Sequence, residues 1–290
     1  MSEGAFDVAR FVRCFPVIAE AEGGIERLRR VVVELAMKGW LAHENVDRRD
    51  RALPAGWSIL PLSQCAEILD ARRVPINEAE RNVRTTGKRE EQLFPYYGAT
   101  RQQGWIDDYL FDEDLVLLGE DGVLFFDPFR PKAYRVSGKC WVNNHAHVLR
   151  PTTTIASWLC HALNVADYSG RATGTTRLKL TQGQMLDMPV TVPPLAEQKR
   201  IVAKVDELMR LLDDLEAKQK QKREVQARFR TAALEALTTA EESDAVFRAI
   251  SRLIDLFSTC FADSVAITEG RDHRQSPPHY AARALGITLL

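Results

Sequence analysis

Apolar residues near the start of the chain recur at helical spacing. In GGIERLRRVVVELAMKGWLA (residues 23–42), Ile25, Leu28, Val32 and Leu35 fall at steps of three, four and three. The pattern predicts a short amphipathic helix that stops at Gly39, a residue suited to ending helices. A charged stretch, HENVDRRDRALPAG, follows, and its polarity and Pro54 mark a boundary. From Trp57 to Pro194 the texture changes to short runs rich in β-branched and aromatic residues (LVLLG, GVLFF, WVNNHAHVLR, MPVTV), separated by Gly, Pro, Asn and Asp. These runs predict a mixed, mainly β domain with one helix inside it, at IASWLCHALN.

The pattern switches again within MPVTVPPLAEQKRIVAKVDEL (residues 188–208), where alternation ends at a double proline and a helical period begins. Ile201, Val205, Leu208, Leu212 and Leu215 keep a 4-3-4-3 spacing, the seam of a coiled coil, until Gln219 and Lys222 interrupt it. The stripe is expected to resume out of phase at Val225, Phe229 and Ala232. A helix unbroken to about residue 237 would span about 60 Å at 1.5 Å per residue. Such a seam needs a facing surface, and a second copy of the chain is the simplest source. A faint repeat relates RLRRVVVEL (residues 27–35) to RFRTAALEA (residues 228–236). One more amphipathic helix is expected near the end, with Val246, Ile250, Leu253, Ile254 and Phe257 on one face, followed by a loose tail. The expected fold class is therefore α+β: a mainly β domain flanked by a short N-terminal helix and a long C-terminal coiled-coil helix. The segments are 1–43, 44–194, 195–240 and 241–290.

Composition narrows the function classes. The chain has 290 residues, a formal net charge of −1 and 45% hydrophobic residues, so a basic excess does not announce a nucleic-acid partner. The sequence has no apolar run of about 18 residues to span a bilayer, and the N-terminus lacks the pattern of a signal peptide. A cytoplasmic protein without a membrane partner is expected. The 5 cysteines (Cys14, Cys65, Cys140, Cys160, Cys260) are scattered and form no C-x-x-C pair, which argues against a disulfide framework or a zinc knuckle.

Catalytic candidates are few. His145 and His147 in NNHAHV, with Cys140 nearby, have the residue types of a metal site, but no further ligand stands at metal spacing, and packing and hydrogen-bonding roles are expected instead. FDPF (residues 126–129) faintly resembles the tetrapeptide of DNA amino-methyltransferases, yet Phe129 replaces its second proline and no glycine-rich cofactor loop accompanies it; a turn is expected. SGRATGTTR lacks the Gly-Lys-Ser/Thr ending of a phosphate-binding loop. No catalytic residue, metal or cofactor is expected.

Binding candidates are richer. Residues 71–90 (ARRVPINEAERNVRTTGKRE) carry Arg72, Arg73, Arg84, Lys88 and Arg89, and Tyr96, Tyr97, Thr100 and Arg101 follow in FPYYGATRQQGW. A second patch, TGTTRLKLTQ, offers Thr173, Thr175, Arg177 and Lys179. Arginine and lysine neutralise phosphates or fork onto guanine edges, and hydroxyls bond the nucleic-acid backbone. The same residues also suit a solvated charged loop and an ordinary hairpin turn.

TGTTRLKLTQGQMLDMPVTVPPLAEQKRIVAKVDEL closely resembles the end of a target recognition domain and the start of the conserved helix in specificity (S) subunits of type I restriction-modification systems. PPLAEQKRIV is the most specific part; PYYGAT, VNNHAHVLRP and LRRVVVELAMKGWL resemble further landmarks in the family's order. The resemblance covers most of residues 23–237. It implies a non-catalytic, sequence-specific reader of double-stranded DNA. The implied partners are methyltransferase (M) subunits, which methylate adenine from S-adenosylmethionine, and a restriction (R) subunit. A full S subunit resembles two copies of domain plus helix, so this chain resembles a half-length form with one target recognition domain. A homodimer paired through Ile201, Val205, Leu208, Leu212 and Leu215 would then read a bipartite site. The alternative is a cytoplasmic coiled-coil scaffold whose β domain binds a protein.

Overall fold

The computed structural model describes residues 14–41 except Pro16, residues 53–238, and Arg248, Ile250 and Ser251. The charged linker up to residue 52, the tail and most of the helix expected around Val246 to Phe257 lie outside the described residues. The chain forms two compact units, Met1–Leu215 and Glu216–Leu290. All the sheets found among the described residues lie in the first.

The fold is α+β. Helix α1 (Gly24–Met37) opens the described core, and strands β1 (Ser58–Pro61) and β10 (Pro189–Val192) close the β domain by pairing antiparallel, with Ile59 opposite Thr191. A four-stranded antiparallel sheet has the order β2 (Ala66–Ile68), β9 (Ala146–Pro151), β6 (Leu115–Gly119), β7 (Ala133–Val136). A second four-stranded sheet runs β4 (Gln102–Ile106), β3 (Phe94–Tyr97), β8 (Lys139–Val142), β5 (Phe111–Asp112). Its β3–β8 pairing is parallel and its other two are antiparallel. Helices α2 (Leu62–Cys65), α3 (Glu78–Thr85), α4 (Ala156–Val165) and α5 (Gln182–Met185) fill the connections, and α6 (Leu195–Thr238) is the long helix.

Strand β6 explains why LVLLG reads as a continuous apolar run. Leu115 and Leu117 pack with Phe111, Cys140, Val142 and Val148 between the two larger sheets, while Val116 and Leu118 turn to Trp158, Leu159 and Leu163 of α4. A strand covered on both faces has no polar side to alternate with. Each leucine so buried contributes roughly 1.5–3 kcal/mol. Burial also pushes the Cys140 thiol up to about 12, so it stays protonated. Among the described residues Cys14, Cys65, Cys140 and Cys160 are all unbridged.

Helix α1 ends as its sequence predicts. Gly39 adopts φ 75°, and a Cβ there would lie 2.6 Å from Pro54 Cγ and 3.2 Å from the Trp57 ring. The glycine therefore both ends the helix and admits the chain that starts the β domain.

The seam of α6 has a different cover from the one its spacing suggested. Ile201, Val202 and Val205 belong to the main core with α1 and α4, and Leu212 packs against Ala19, Ile25 and Leu28. Arg29 reinforces the contact by donating to Asp213 at 2.6 Å. Leu208 and Leu215 are half-buried. A second copy is therefore not needed to cover Ile201, Val205 and Leu212, because α1 and the β domain supply their cover. The stripe also keeps its phase: Leu215, Gln219, Lys222, Gln226 and Phe229 are half-covered, as is Glu216 beside them, whereas Val225 and Ala232 are exposed.

PPLAEQKRIV has a physical role at the start of α6. The Gln198 side chain is buried, its Oε1 accepting from Ile155 N at 2.9 Å and its Nε2 donating to Pro193 O at 2.9 Å and Thr153 O at 3.3 Å. Ile155 is the N-cap of α4 and offers no side-chain cap of its own. One amide thus ties the entry of α6 to the entry of α4.

Candidate nucleic-acid interface

The cation-rich segment after β2 is structured. Asp70–Arg72 form a 3-10 turn, and α3 begins at Asn77, whose side chain accepts from Glu80 N at 2.9 Å. Glu78 and Glu80 in the first turn and Arg84 in the last complement the helix dipole. Most of the segment's arginines are engaged within the domain. Arg73, with only 14% of its side chain exposed, donates to Glu120 at 2.7 Å and to the Ala146 carbonyl at 2.8 Å, and lies 3.3 Å from Asp70. Arg72 bonds the Leu110 carbonyl at 2.8 Å, with Glu113 at 3.3 Å, and its guanidinium lies 4.6 Å from the centre of the Phe111 ring.

Arg84 donates to Asp107 at 2.6 Å and stacks over Trp141 at 4.9 Å, with Lys88 3.8 Å from the same carboxylate. Arg81 covers Tyr96 at 4.7 Å, and the buried Tyr96 hydroxyl donates to Ile76 O at 3.0 Å. Lys139 lies 4.7 Å from the centre of the Tyr109 ring. Trp105 and Arg89 are exposed. The second sheet therefore carries a basic and aromatic face on which Asp107 and Asp108 answer Arg84 and Lys88, while Arg81 and Lys139 lie over aromatic rings. Trp105, Tyr109 and Lys139 make no linear patch in the sequence, because they are single residues on separate segments, and Arg81 of the 71–90 segment joins them from α3.

The other candidates meet at one end of the β domain. The turn after β3 closes by Gly98 N donating to Arg101 O at 3.0 Å, and the Tyr134 hydroxyl donates to Gly98 O at 2.5 Å. Tyr97 lies beside Tyr134, ring centres 5.9 Å apart, and burial pushes its phenol up. A Cβ at Gly119 would stand 2.9 Å from Ala99 O, so the glycine lets the turn seat on the end of β6.

The next two residues hold the second patch. Glu120 receives Lys179 at 3.0 Å as well as Arg73, and Asp121 receives Arg177 at 2.7 Å and His145 at 3.0 Å. Lys179 also bridges both Asp121 and Thr173 through the backbone, and Gln184 Nε2 donates to Thr173 Oγ1 at 3.3 Å. Burial raises the Glu120 carboxyl, but bonds from Arg73 and Lys179 outweigh it and hold the group below its usual range. Thr100, Arg101 and Thr175 are exposed at this end. The signal for the two acids was present in LVLLGEDGVLFF, where an acidic pair between glycines interrupts two apolar runs.

The two histidines go separate ways. His145 turns to Asp121, while the fully buried His147 places Nδ1 2.6 Å from Asp70 and donates from Nε2 to Leu180 O at 2.8 Å. Asp70, Glu120 and His147 bring potential metal-ligand atoms within 4.8 Å of one another. Both ring nitrogens of His147 face acceptors, however, and Arg73 and Lys179 already answer the carboxylates. The cluster works as a polar clamp joining the 3-10 turn, β9 and the 173–180 loop, and the donor set does not suit a metal.

FDPF forms a turn in which Asp127 Oδ1 accepts from Phe129 N at 2.8 Å. The turn borders a cleft of about 290 Å³ lined by Arg30, Phe126, Lys132 and Tyr168. Lys132 is buried there, its ammonium donating to the Asp127 and Arg130 carbonyls, and burial lowers its pKa.

The β domain has a loop-built polar end, and its last strand leads directly into the long helix α6. Residues 54–224, more than half of the chain, match the family described as type I restriction modification DNA specificity domain, and the chain belongs to that family. A Haemophilus influenzae protein provisionally described as type I restriction enzyme specificity subunit S.HindORF215P is 30% identical over 155 residues, 53% of this chain and 38% of that protein. The type I restriction enzyme EcoDI specificity subunit of Escherichia coli is 24% identical over 185 residues, 63% of this chain and 38% of that protein. The matched region thus spans well under half the length of these curated relatives. Among solved structures, a chain of a type I R-M system aligns with TM-score 0.49 and 19% identity over 78% of this chain and 56% of that one. The HsdS subunit from Thermoanaerobacter tengcongensis aligns with TM-score 0.44 and 17% identity over 85% and 54%. Among the described residues no helix is long and apolar enough to cross a membrane.

Proposed function

We propose that the chain is the DNA-reading subunit of a type I restriction-modification complex, with its β domain addressing one half of a bipartite site in double-stranded DNA. Methylation and cleavage fall to methyltransferase and restriction subunits, and the second half-site falls to a second reading domain brought by another copy of the chain. The observation that carries this reading is the family match over residues 54–224, and the loop-built end face with its exposed hydrogen-bonding side chains supports it. The scaffold alternative drew its force from an uncovered seam, and the burial of Ile201, Val205 and Leu212 inside the chain removes that support. For the same reason the contact between copies is assigned away from those three residues.

The purified full chain should bind duplex DNA with an affinity that falls steeply with salt and retains a preferred sequence. Methyl transfer from S-adenosylmethionine should require an added methyltransferase subunit. A response to DNA that is the same for every sequence, or methyl transfer by the pure chain, would overturn the proposal. In light scattering with a symmetric two-part duplex, a one-to-one complex would overturn the dimeric part alone.

A further inference from the structure

We propose that base reading is concentrated on the end face organised by Glu120 and Asp121, and that Arg101 is its guanine reader. The inference rests on the DNA-reading function above and deepens it. Three observations select Arg101 from cations that look equivalent in the sequence.

The first is availability. Arg73, Arg84, Arg177 and Lys179 each answer a carboxylate within 3.0 Å, whereas Arg101 and Arg89 make no side-chain ion pair or hydrogen bond among the described residues, and the next two observations separate Arg101 from Arg89. A guanidinium already forked onto a carboxylate must surrender that partner before it can meet a base. Arg101 has none to surrender.

The second is stiffness behind the side chain. The turn that presents Arg101 is closed by its own carbonyl, held by the Tyr134 hydroxyl and seated on Gly119, at the end of the most deeply buried strand. Little backbone ordering is then left for binding, which favours affinity and a fixed register.

The third is chemical company. The same support continues into Asp121, which fixes Arg177, so the turn and the 173–179 loop are held by consecutive residues. Thr100 and Thr175 add exposed hydroxyls that bond bases or phosphates. An unpaired arginine fork matches the O6 and N7 acceptors of guanine in the major groove, and lysine cannot reproduce that bidentate contact.

The test selects bound duplexes from a random library with the full chain, then measures binding of every single base-pair variant of the enriched sequence at fixed salt. Arg101→Lys and Arg101→Ala should both lose roughly tenfold or more of the discrimination at one G·C position and keep the preference elsewhere. Arg84→Ala should leave every base preference in place. Uniform weakening in Arg101→Ala that Arg101→Lys restores would make Arg101 a phosphate contact and overturn the proposal, as would an unchanged preference profile. A wild-type chain that enriches no sequence would instead overturn the DNA-reading function, and the inference with it.

Discussion

The segment from Asp70 to Arg89 and the end face built from residues 97–101 and 173–179 carry similar side chains to opposite uses. The first has the denser run of arginine, yet Arg73 is an internal strut between Glu120 and the Ala146 carbonyl, and Arg84 lies between Trp141 and Asp107. The second has fewer cations, and it leaves Thr100, Arg101 and Thr175 exposed above a braced backbone. Charge density along a sequence therefore says little about charge available to a partner. What decides availability is where the acids stand, and Glu120 and Asp107 stand far from Arg73 and Arg84 in the chain.

The contrast breaks first, and hardest, at Arg73. Arg73→Met should destabilise the domain by roughly 3 kcal/mol, the lower end for breaking a buried ion pair, because Lys179 still reaches Glu120. Denaturant unfolding measures it, and a loss under 1 kcal/mol would remove Arg73 from the structural side of the comparison. Arg84→Ala should cost about 1 kcal/mol, since its guanidinium is only partly exposed and loses both the Asp107 bond and the stacking on Trp141. A change in the unfolding midpoint with an unchanged slope is the expected signature.

The smallest effect is on the hinge between the two regions. The folded carboxyl of Glu120 sits below the ordinary 4.5, so its bonds contribute fully above that pH and are lost as pH falls through the lower folded value. Hydrogen exchange at residues 173–180 should therefore quicken relative to β6 as pH falls below 4.5, and Glu120→Gln should abolish the extra pH dependence.

The fold was legible where local pattern decides it. LVLLG declared a strand, Gly39 declared a helix end, and IASWLCHALN became α4. The seam of α6 was legible as a buried stripe, but periodicity states that a face is covered and not by what; the cover came from Ile25 and Leu28 in a helix far earlier in the chain. The 71–90 segment hid a helix because α3 has no buried residue and depends on its cap and its stacked arginines. The site was legible as a set of residue types and not as a surface. The Asp121–Arg177 pair, which locates the second patch beside the first, joins residues too distant for any spacing rule.

Gln198 shows the same limit, because a motif marks its position and only the packed structure gives its task. Its amide satisfies backbone groups of two other segments, so replacing it with leucine would strand buried donors and acceptors at a cost of about 1–3 kcal/mol.

The residues that brace the end face and those that look outward from it are different residues. Tyr134, Gly119, Glu120 and Asp121 do the bracing, while Thr100, Arg101 and Thr175 contribute no side-chain bond among the described residues. Mutation can therefore rewrite the outward set while leaving the chain as able to fold as before. A lineage carrying this scaffold can change its target by single, individually tolerable steps, and the braces set the limits within which that drift stays harmless.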